Sequence, residues 1–314
     1  MPRRARCLSD LAIVGATATG KTSLAGSIAD SYQQVSLVSI DALAVYRGMD
    51  IGTAKPTRLG DVAGRHAWEL VDLVDASEEF SVAEFQAAAR EAIGRIHELG
   101  NAAVLVGGTG LYHRAVLDDL DLPARYPHVA ARLQAEAAGP GGPASLHARL
   151  RELDPVAAGR IEPLNARRVI RALEVTEGSG RRFSEFGPGL DAYPGIDTVI
   201  VGLALDRDKL DERLAGRLSS QLDEGFIEEV RSLLAAPGGF SRTAGQAIGY
   251  REIVEYLTGE CSFDEARAEA VRRLKNFARR QEAWFRRDPR VHWLRADDER
   301  LTDLAMERWE TGPK

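Results

Sequence analysis

Four runs of apolar residues, 11–14, 35–40, 101–106 and 198–205, carry almost no polar interruption. Runs this short and continuous predict strands buried on both faces of a parallel sheet. Between them the period changes. Residues 23–30 read as a helix, and so do residues 81–99, with Ser81 as N-cap, Glu84 at the capping-box position and Gly100 beyond the end. Strand and helix in alternation predict an α/β core. Residues 66–74 are expected to form a further short strand. The stretch 45–56, with Gly48, Gly52 and Pro56, reads as an ordered functional loop.

From about residue 117 the sheet pattern stops, and the chain becomes helical and rich in arginine until about residue 187. Pro140-Gly141-Gly142-Pro143 breaks this region, and the helix expected over 165–175 carries Arg167, Arg168 and Arg171. The predicted organisation is an α/β core of residues 1–116 and 188–250, an inserted helical subdomain of 117–187, and a helical C-terminal part of 251–314. The apolar run 198–205 should complete the sheet. In the helix after it, Leu210, Leu214, Leu218 and Leu222 recur every four residues, and on the neighbouring face Arg213 and Arg217 share a direction.

The chemistry is concentrated where strands end. After the first strand comes Gly15-Ala16-Thr17-Ala18-Thr19-Gly20-Lys21-Thr22, which fits G-x-x-x-x-G-K-[ST] and is followed by a helix. Backbone N–H groups and the helix dipole converge there on an anion, Lys21 adds a positive charge, and the Thr22 hydroxyl can hold Mg²⁺. The fold class is therefore a P-loop NTPase-like parallel sheet flanked by helices. Its ligand is a diphosphate or longer, which leaves open whether a nucleotide carries it. Asp41 follows the second strand and Thr109 follows the third, within Gly107-Gly108-Thr109-Gly110, whose glycines let backbone approach a ligand. Ligands of open α/β sheets bind at the carboxyl ends of the strands, so Asp41, Thr109 and Lys21 are expected at one site. Asp41 can act there as a base or metal partner, or simply cap a helix. Arg217 could reach the phosphates or pair with surface acids.

Composition narrows the classes. The chain has 314 residues, 44% hydrophobic and 28% charged, the balance of a globular protein. A net charge of −6 excludes a uniformly basic surface, so nucleic-acid binding would need a local patch. One exists between residues 267 and 295: ten basic side chains stand against three acids, with Phe277, Trp284 and Phe285 interleaved. Cys7 and Cys261 have no metal-ligand or disulfide spacing and read as structural thiols of a reducing, cytoplasmic compartment. The basic N-terminus precedes only the P-loop strand, so no signal peptide and no membrane span is expected. The tail 296–314 is polar and says little.

Taken in order, the P-loop string, Ser39-Ile40-Asp41, Tyr46-Arg47-Gly48-Met49-Asp50-Ile51-Gly52-Thr53-Ala54-Lys55-Pro56, Val106-Gly107-Gly108-Thr109-Gly110-Leu111-Tyr112, Arg171-Ala172-Leu173-Glu174-Val175, Gly249-Tyr250-Arg251 and Arg279-Arg280-Gln281 with Trp284-Phe285 resemble the motif set of bacterial tRNA dimethylallyltransferases. The resemblance runs through nearly the whole chain. Two positions depart from it: Ala16 stands where the family usually has Pro, and Ala42 where it has Ser. The resemblance implies transfer of a dimethylallyl group from dimethylallyl diphosphate to N6 of the adenosine just 3′ of the anticodon, in tRNAs reading codons that begin with U. By the family pattern, Asp41, Thr109 and Arg217 are catalytic, residues 15–22 hold the diphosphate, and Mg²⁺ sits at Thr22. Contacts to tRNA fall to Asp41, Ala42, Leu43, Ala44, Thr109, Arg132, Arg167, Arg168, Gly249, Tyr250, Arg251, Arg279 and Arg280. A monomer is expected. Two other readings use the same residues: a P-loop small-molecule or nucleoside kinase, and a nucleotide-switched RNA-binding module without chemistry.

Overall fold

In the first strand, β1 (Asp10–Gly15), Leu11 and Ile13 face one side and Ala12 and Val14 the other, and all four are buried. A computed structural model describes residues 8–56, 66–187, 190 and 192–313. The basic N-terminus and Cys7 lie outside the described residues. After β1 the chain runs through α1 (Lys21–Ser31), β2 (Val35–Ser39), β3 (Tyr46–Arg47), β4 (Trp68–Glu69), β5 (Val74–Asp75), α2 (Val82–Glu98), β6 (Ala102–Gly107) and α3 (Gly110–Leu117). Four helices follow: α4 (Pro127–Ala138), α5 (Gly142–Leu153), α6 (Pro155–Arg160) and α7 (Ala166–Ser179). Then come β7 (Thr198–Ala204), α8 (Arg207–Asp223), α9 (Phe226–Ala235), α10 (Tyr250–Leu257), α11 (Phe263–Phe285), β8 (Val291–Arg295) and α12 (Leu301–Glu310). Among the described residues no helix is long and apolar enough to cross a membrane.

Six strands form a parallel sheet in the order β4-β2-β6-β1-β7-β8. Its central strands are buried on both faces, which is why they read as continuous apolar runs. Ala12, Val14, Val38, Leu105 and Ile200 pack with Phe85 of α2 and Phe285 of α11, while Leu11, Ile13, Val104 and Val201 pack with Leu24 and Ile28 of α1 and Trp309 of α12. The α2 capping box is present as the sequence predicts: Ser81 N–H donates to Glu84 at 2.7 Å and Glu84 N–H to Ser81 Oγ at 3.3 Å.

Compactness divides the chain into one unit of residues 1–117 with 195–314 and a second of 118–194. The second unit packs its four helices around Leu133, Leu146, Leu150, Val169 and Leu173.

Several expectations need correction. The separate helical C-terminal part, 251–314, belongs to the sheet unit, and it is β8 rather than 198–205 that completes the sheet. The stretch 66–74 is not one strand: β4 joins the main sheet and β5 pairs with β3, because Leu70 and Asp72 take φ of 63° and 55° and turn the chain between them. The loop 45–56 contains β3. The tail is structural. Trp309 is fully buried, meets the Tyr32 ring edge-on at 5.2 Å and donates to Ser9 O at 2.7 Å, while Tyr32 Oη donates to Glu310 at 2.7 Å. Trp309→Ala is expected to lower the stability of the folded chain by about 3–5 kcal/mol, read from denaturant midpoints. A loss under about 1 kcal/mol would mean that α12 is an appendage rather than part of the sheet's cover.

Candidate active site

The register of the sheet levels the strand ends. Ser39 stands opposite Val106, Val14 opposite Gly107, and Gly15 opposite Leu203, so the segments after β2, β6 and β1 leave the same edge. From β1 the loop passes through Ala18 at φ 64° and Gly20 at φ 89° into α1. The buried Lys21 ammonium donates to Ala16 O at 2.7 Å, and Thr19 Oγ1 donates to the same carbonyl at 2.9 Å. Burial lowers the Lys21 pKa to about 7; the Asp41 charge opposes this shift and Arg217 adds to it. An anion in the loop would restore the ammonium. Thr22 lies in the first turn of α1, and among the described residues its hydroxyl makes no hydrogen bond.

Arg217 projects from α8 toward this loop, donating through Nη1 to Thr17 Oγ1 at 3.1 Å and through Nη2 to Thr53 O at 3.0 Å. Its pKa is lowered by burial and held up by Asp41. It thus meets the P-loop and the 45–56 segment and is not a surface ion pair. Arg213, one turn earlier, is exposed, so the two arginines do not act together.

Asp41 follows Ile40, whose N–H donates to Val106 O at 2.8 Å. Its Oδ1 accepts the Leu43 N–H at 2.8 Å and the Ala44 N–H at 3.3 Å, an Asx turn that aims the carboxylate. Thr109 Oγ1 accepts the Ala42 N–H at a long 3.4 Å. Thr109 therefore steadies the backbone beside Asp41.

Four residues at the site escape sequence reasoning. Gln281 of α11 accepts the Thr17 N–H at 2.9 Å and donates to Gly108 O at 2.9 Å. A signal for it exists: Ala270, Ala278, Gln281 and Phe285 form the buried stripe of α11, where an amide demands partners. A side chain on Gly108 would meet Gln281 Nε2 at 2.3 Å, and one on Gly110 the Trp284 ring at 2.1 Å. These glycines admit α11, whereas the sequence reading assigned them to a ligand. Glu229 accepts the N–H groups of Asp50, Ile51 and Gly52 at 3.0, 2.7 and 3.1 Å, and the Tyr250 hydroxyl at 2.6 Å. Gln221 donates to Ile51 O at 2.6 Å. Lys55, wholly buried, donates to Tyr46 O at 2.8 Å and pairs with Asp50 at 2.7 Å. Together they hold the segment whose Thr53 carbonyl receives Arg217.

The residues expected to touch RNA differ in exposure. Ala44, Gly249 and Tyr250 are buried; Tyr250 packs against Phe226 and Phe240, so its role is structural. Asp41, Ala42, Leu43 and Thr109 are partly exposed. Arg251 is exposed and pairs with Glu255 at 2.8 Å. Much of the basic stretch is also paired: Arg272 with Glu269, Arg273 with Glu252, Lys275 with Asp211, Arg286 with Glu282 and Arg290 with Asp288. Arg279 and Arg280 are exposed and, among the described residues, have no acidic partner; Arg280 lies 5.8 Å from the Phe277 ring centre. In the second unit Arg132 is held by Glu136 and Glu177, while Arg167 and Arg168 are exposed in the first turn of α7. Positive charge at a helix N-terminus opposes the dipole, so these two arginines do not stabilise their helix.

Residues 44–288 match the family model described as IPP transferase. The chain is 47% identical over 298 residues to a tRNA dimethylallyltransferase of Nocardioides sp., covering 94% of each chain. It is 44% identical over 301 residues to that of Thermobifida fusca, covering 94% of this chain and 92% of the relative. A crystal structure of the full-length tRNA isopentenylpyrophosphate transferase of Bacillus halodurans superposes with a TM-score of 0.69 at 35% identity, covering 96% of this chain and 97% of the other. A eukaryotic dimethylallyltransferase acting on tRNA, 22% identical, shares the fold with a TM-score of 0.72 over 97% of this chain and 76% of its own. With a P-loop, Asp41 and Thr109 at one sheet edge and relatives that match along nearly its whole length, the chain belongs to the IPP transferase family, among the bacterial tRNA dimethylallyltransferases.

Proposed function

We propose that the chain transfers the dimethylallyl group of dimethylallyl diphosphate to N6 of the adenosine 3′-adjacent to the anticodon, in tRNAs that read codons beginning with U. The observation that carries this reading is that Lys21 and Arg217, two cations partly stripped of water, meet the P-loop at the same sheet edge as the Asp41 carboxylate. An allylic carbon–oxygen bond breaks toward a delocalised cation once the leaving diphosphate is neutralised. Loop amides, Lys21 and Arg217 neutralise it, and the diphosphate departs with the electron pair of that bond. The N6 lone pair forms the new bond to carbon, and the proton that N6 sheds goes to Asp41. No ATP is consumed.

Mg²⁺ fits the donor set: among the described residues the Thr22 hydroxyl has no hydrogen-bond partner, and diphosphate oxygens would supply further hard ligands. Bound there it would add charge neutralisation. A stacked adenosine must be flipped to reach Asp41, and exposed Arg279 and Arg280 on one unit, with Arg167 and Arg168 on the other, offer backbone contacts for the RNA. The active form proposed is a monomer. A reducing cytoplasm suits both the tRNA substrate and the unpaired Cys261. Exposed unpaired arginines have no use in a small-molecule kinase, and an aimed carboxylate has none in a switch.

The reading is tested by incubating the protein with labelled dimethylallyl diphosphate, an anticodon stem-loop RNA and Mg²⁺, with ATP in parallel. Label in the RNA supports it; phosphoryl transfer from ATP, or RNA binding without transfer, replaces it with one of the rivals. Asp41→Asn keeps the Oδ1 acceptor for the turn and removes the base. Its kcat should fall by roughly 10²–10⁴ with diphosphate affinity unchanged, and near-wild-type turnover would remove Asp41 from the mechanism.

A pH dependence follows from Lys21. With its pKa lowered to about 7, the free amine carries the proton below that pH and loses it above, while a bound anion restores it. Compared with Lys21→Ala, the wild-type protein should therefore take up about one extra proton on binding inorganic pyrophosphate at about pH 8, and almost none at about pH 6. Calorimetry in buffers of different ionisation enthalpy measures this, and equal uptake at both pH values would contradict it. For the RNA face, Arg279→Ala with Arg280→Ala should weaken stem-loop binding and flatten its dependence on log salt by about 1 to 2 units of slope. An unchanged slope in the folded double variant would move the RNA contact off this face of α11.

A further inference from the structure

Three strand ends supply the site, yet each side chain assigned to the chemistry belongs to only one of them or to α8. Something must fix their relative positions, since a displacement of about 1 Å costs about 10²-fold in rate. The strands stop being paired at Val14 and Gly107, before either loop reaches the site. Beyond that point the Gln281 side chain spans the gap, its Oε1 on the Thr17 N–H and its Nε2 on Gly108 O, both at 2.9 Å. The two bonds assign the amide orientation without ambiguity, because one partner only donates and the other only accepts. Gln281 is 6% exposed, and the missing Cβ of Gly108 leaves room for its amide.

From these contacts we infer that Gln281 is a positioning residue, a strut that sets the diphosphate loop at a fixed distance from the loop bearing Thr109. The bonds continue on both sides. Thr17 receives Arg217 through its hydroxyl, and Thr109 receives the Ala42 N–H beside Asp41. One hydrogen-bonded path therefore runs from the leaving-group cation, through Thr17, Gln281 and the backbone of Gly108 and Thr109, to the turn that aims the base. The strut reaches the site from the helix that also carries Arg279 and Arg280. Gln281 touches neither reacting atom; it acts through the two loops. The inference deepens the reading proposed above and rests on it for the meaning of turnover.

The test is Gln281→Met, which keeps length and burial and removes both hydrogen bonds. In the folded variant inorganic pyrophosphate should bind about tenfold more weakly and kcat should fall about 10²-fold, with KM for an anticodon stem-loop RNA within about twofold of wild type. Pyrophosphate affinity decides the matter, and it needs no turnover. If wild type binds pyrophosphate but transfers no prenyl group, the proposed function fails while the strut is still tested. Wild-type pyrophosphate affinity in the folded variant overturns the strut, whatever happens to RNA binding. Should Gln281→Met not fold, amide hydrogen exchange on the wild-type protein replaces it. The Thr17 amide is expected to exchange at least about tenfold more slowly than that of Ala18. Equal rates would show that the bond to Gln281 does not persist in solution and overturn the inference.

Discussion

Four parallel strands ending level are the constraint on which the site depends. With β2, β6, β1 and β7 in register, the segments that follow Ile40, Gly107 and Gly15 emerge side by side. Parallel pairing places every carboxyl end on one edge, so a base, a hydroxyl and an anion-binding loop can come from distant parts of the sequence and still meet. What the sheet cannot do is hold the loops once pairing stops. That is left to side chains from helices: Gln281 from α11 between two loops, Arg217 from α8 on Thr17 and Thr53, and Glu229 from α9 on three consecutive amides of the 45–56 segment.

Electrostatically the site favours an anion. Lys21 and Arg217 both have their pKa values lowered by burial, and Asp41 offsets only part of the cost. Two cations held in a low-dielectric loop favour any ligand that brings negative charge, and most of all one whose charge grows during reaction, as a departing diphosphate's does. The same arrangement would suit phosphoryl transfer. The difference lies in which bond to the bridging oxygen breaks.

The elements legible in the sequence were those whose local signal agrees with their environment. Continuous apolar runs gave β1, β2, β6 and β7, the glycine spacing gave the loop at 15–22, and Ser81 with Glu84 marked the start of α2. The misses have physical causes. β8, Val-His-Trp-Leu-Arg, is an edge strand with only partial burial, so it lacks the apolar continuity of the central strands. α12 is short and half polar, and it buries only Ala305, Met306 and Trp309. Tyr250 reads as a tRNA contact because burial cannot be seen in a sequence, and the paired basic residues of α11 look free because their acids lie on α8 and α10 as well as on α11 itself. Glu229 leaves no trace at all, since a carboxylate that gathers backbone amides is indistinguishable in sequence from a solvated one.

If the P-loop holds a leaving group and not a group in transit, the fate of one oxygen shows it. Dimethylallyl diphosphate carrying ¹⁸O at the bridge between carbon and phosphorus is incubated with the protein and an anticodon stem-loop RNA, and the products are weighed by mass spectrometry. Rupture of the carbon–oxygen bond sends the heavy oxygen out with pyrophosphate and leaves the RNA heavier by an unlabelled dimethylallyl group on adenosine. Heavy oxygen retained in an organic alcohol or monophosphate would mean that the phosphorus–oxygen bond breaks, and the account of the site would be wrong.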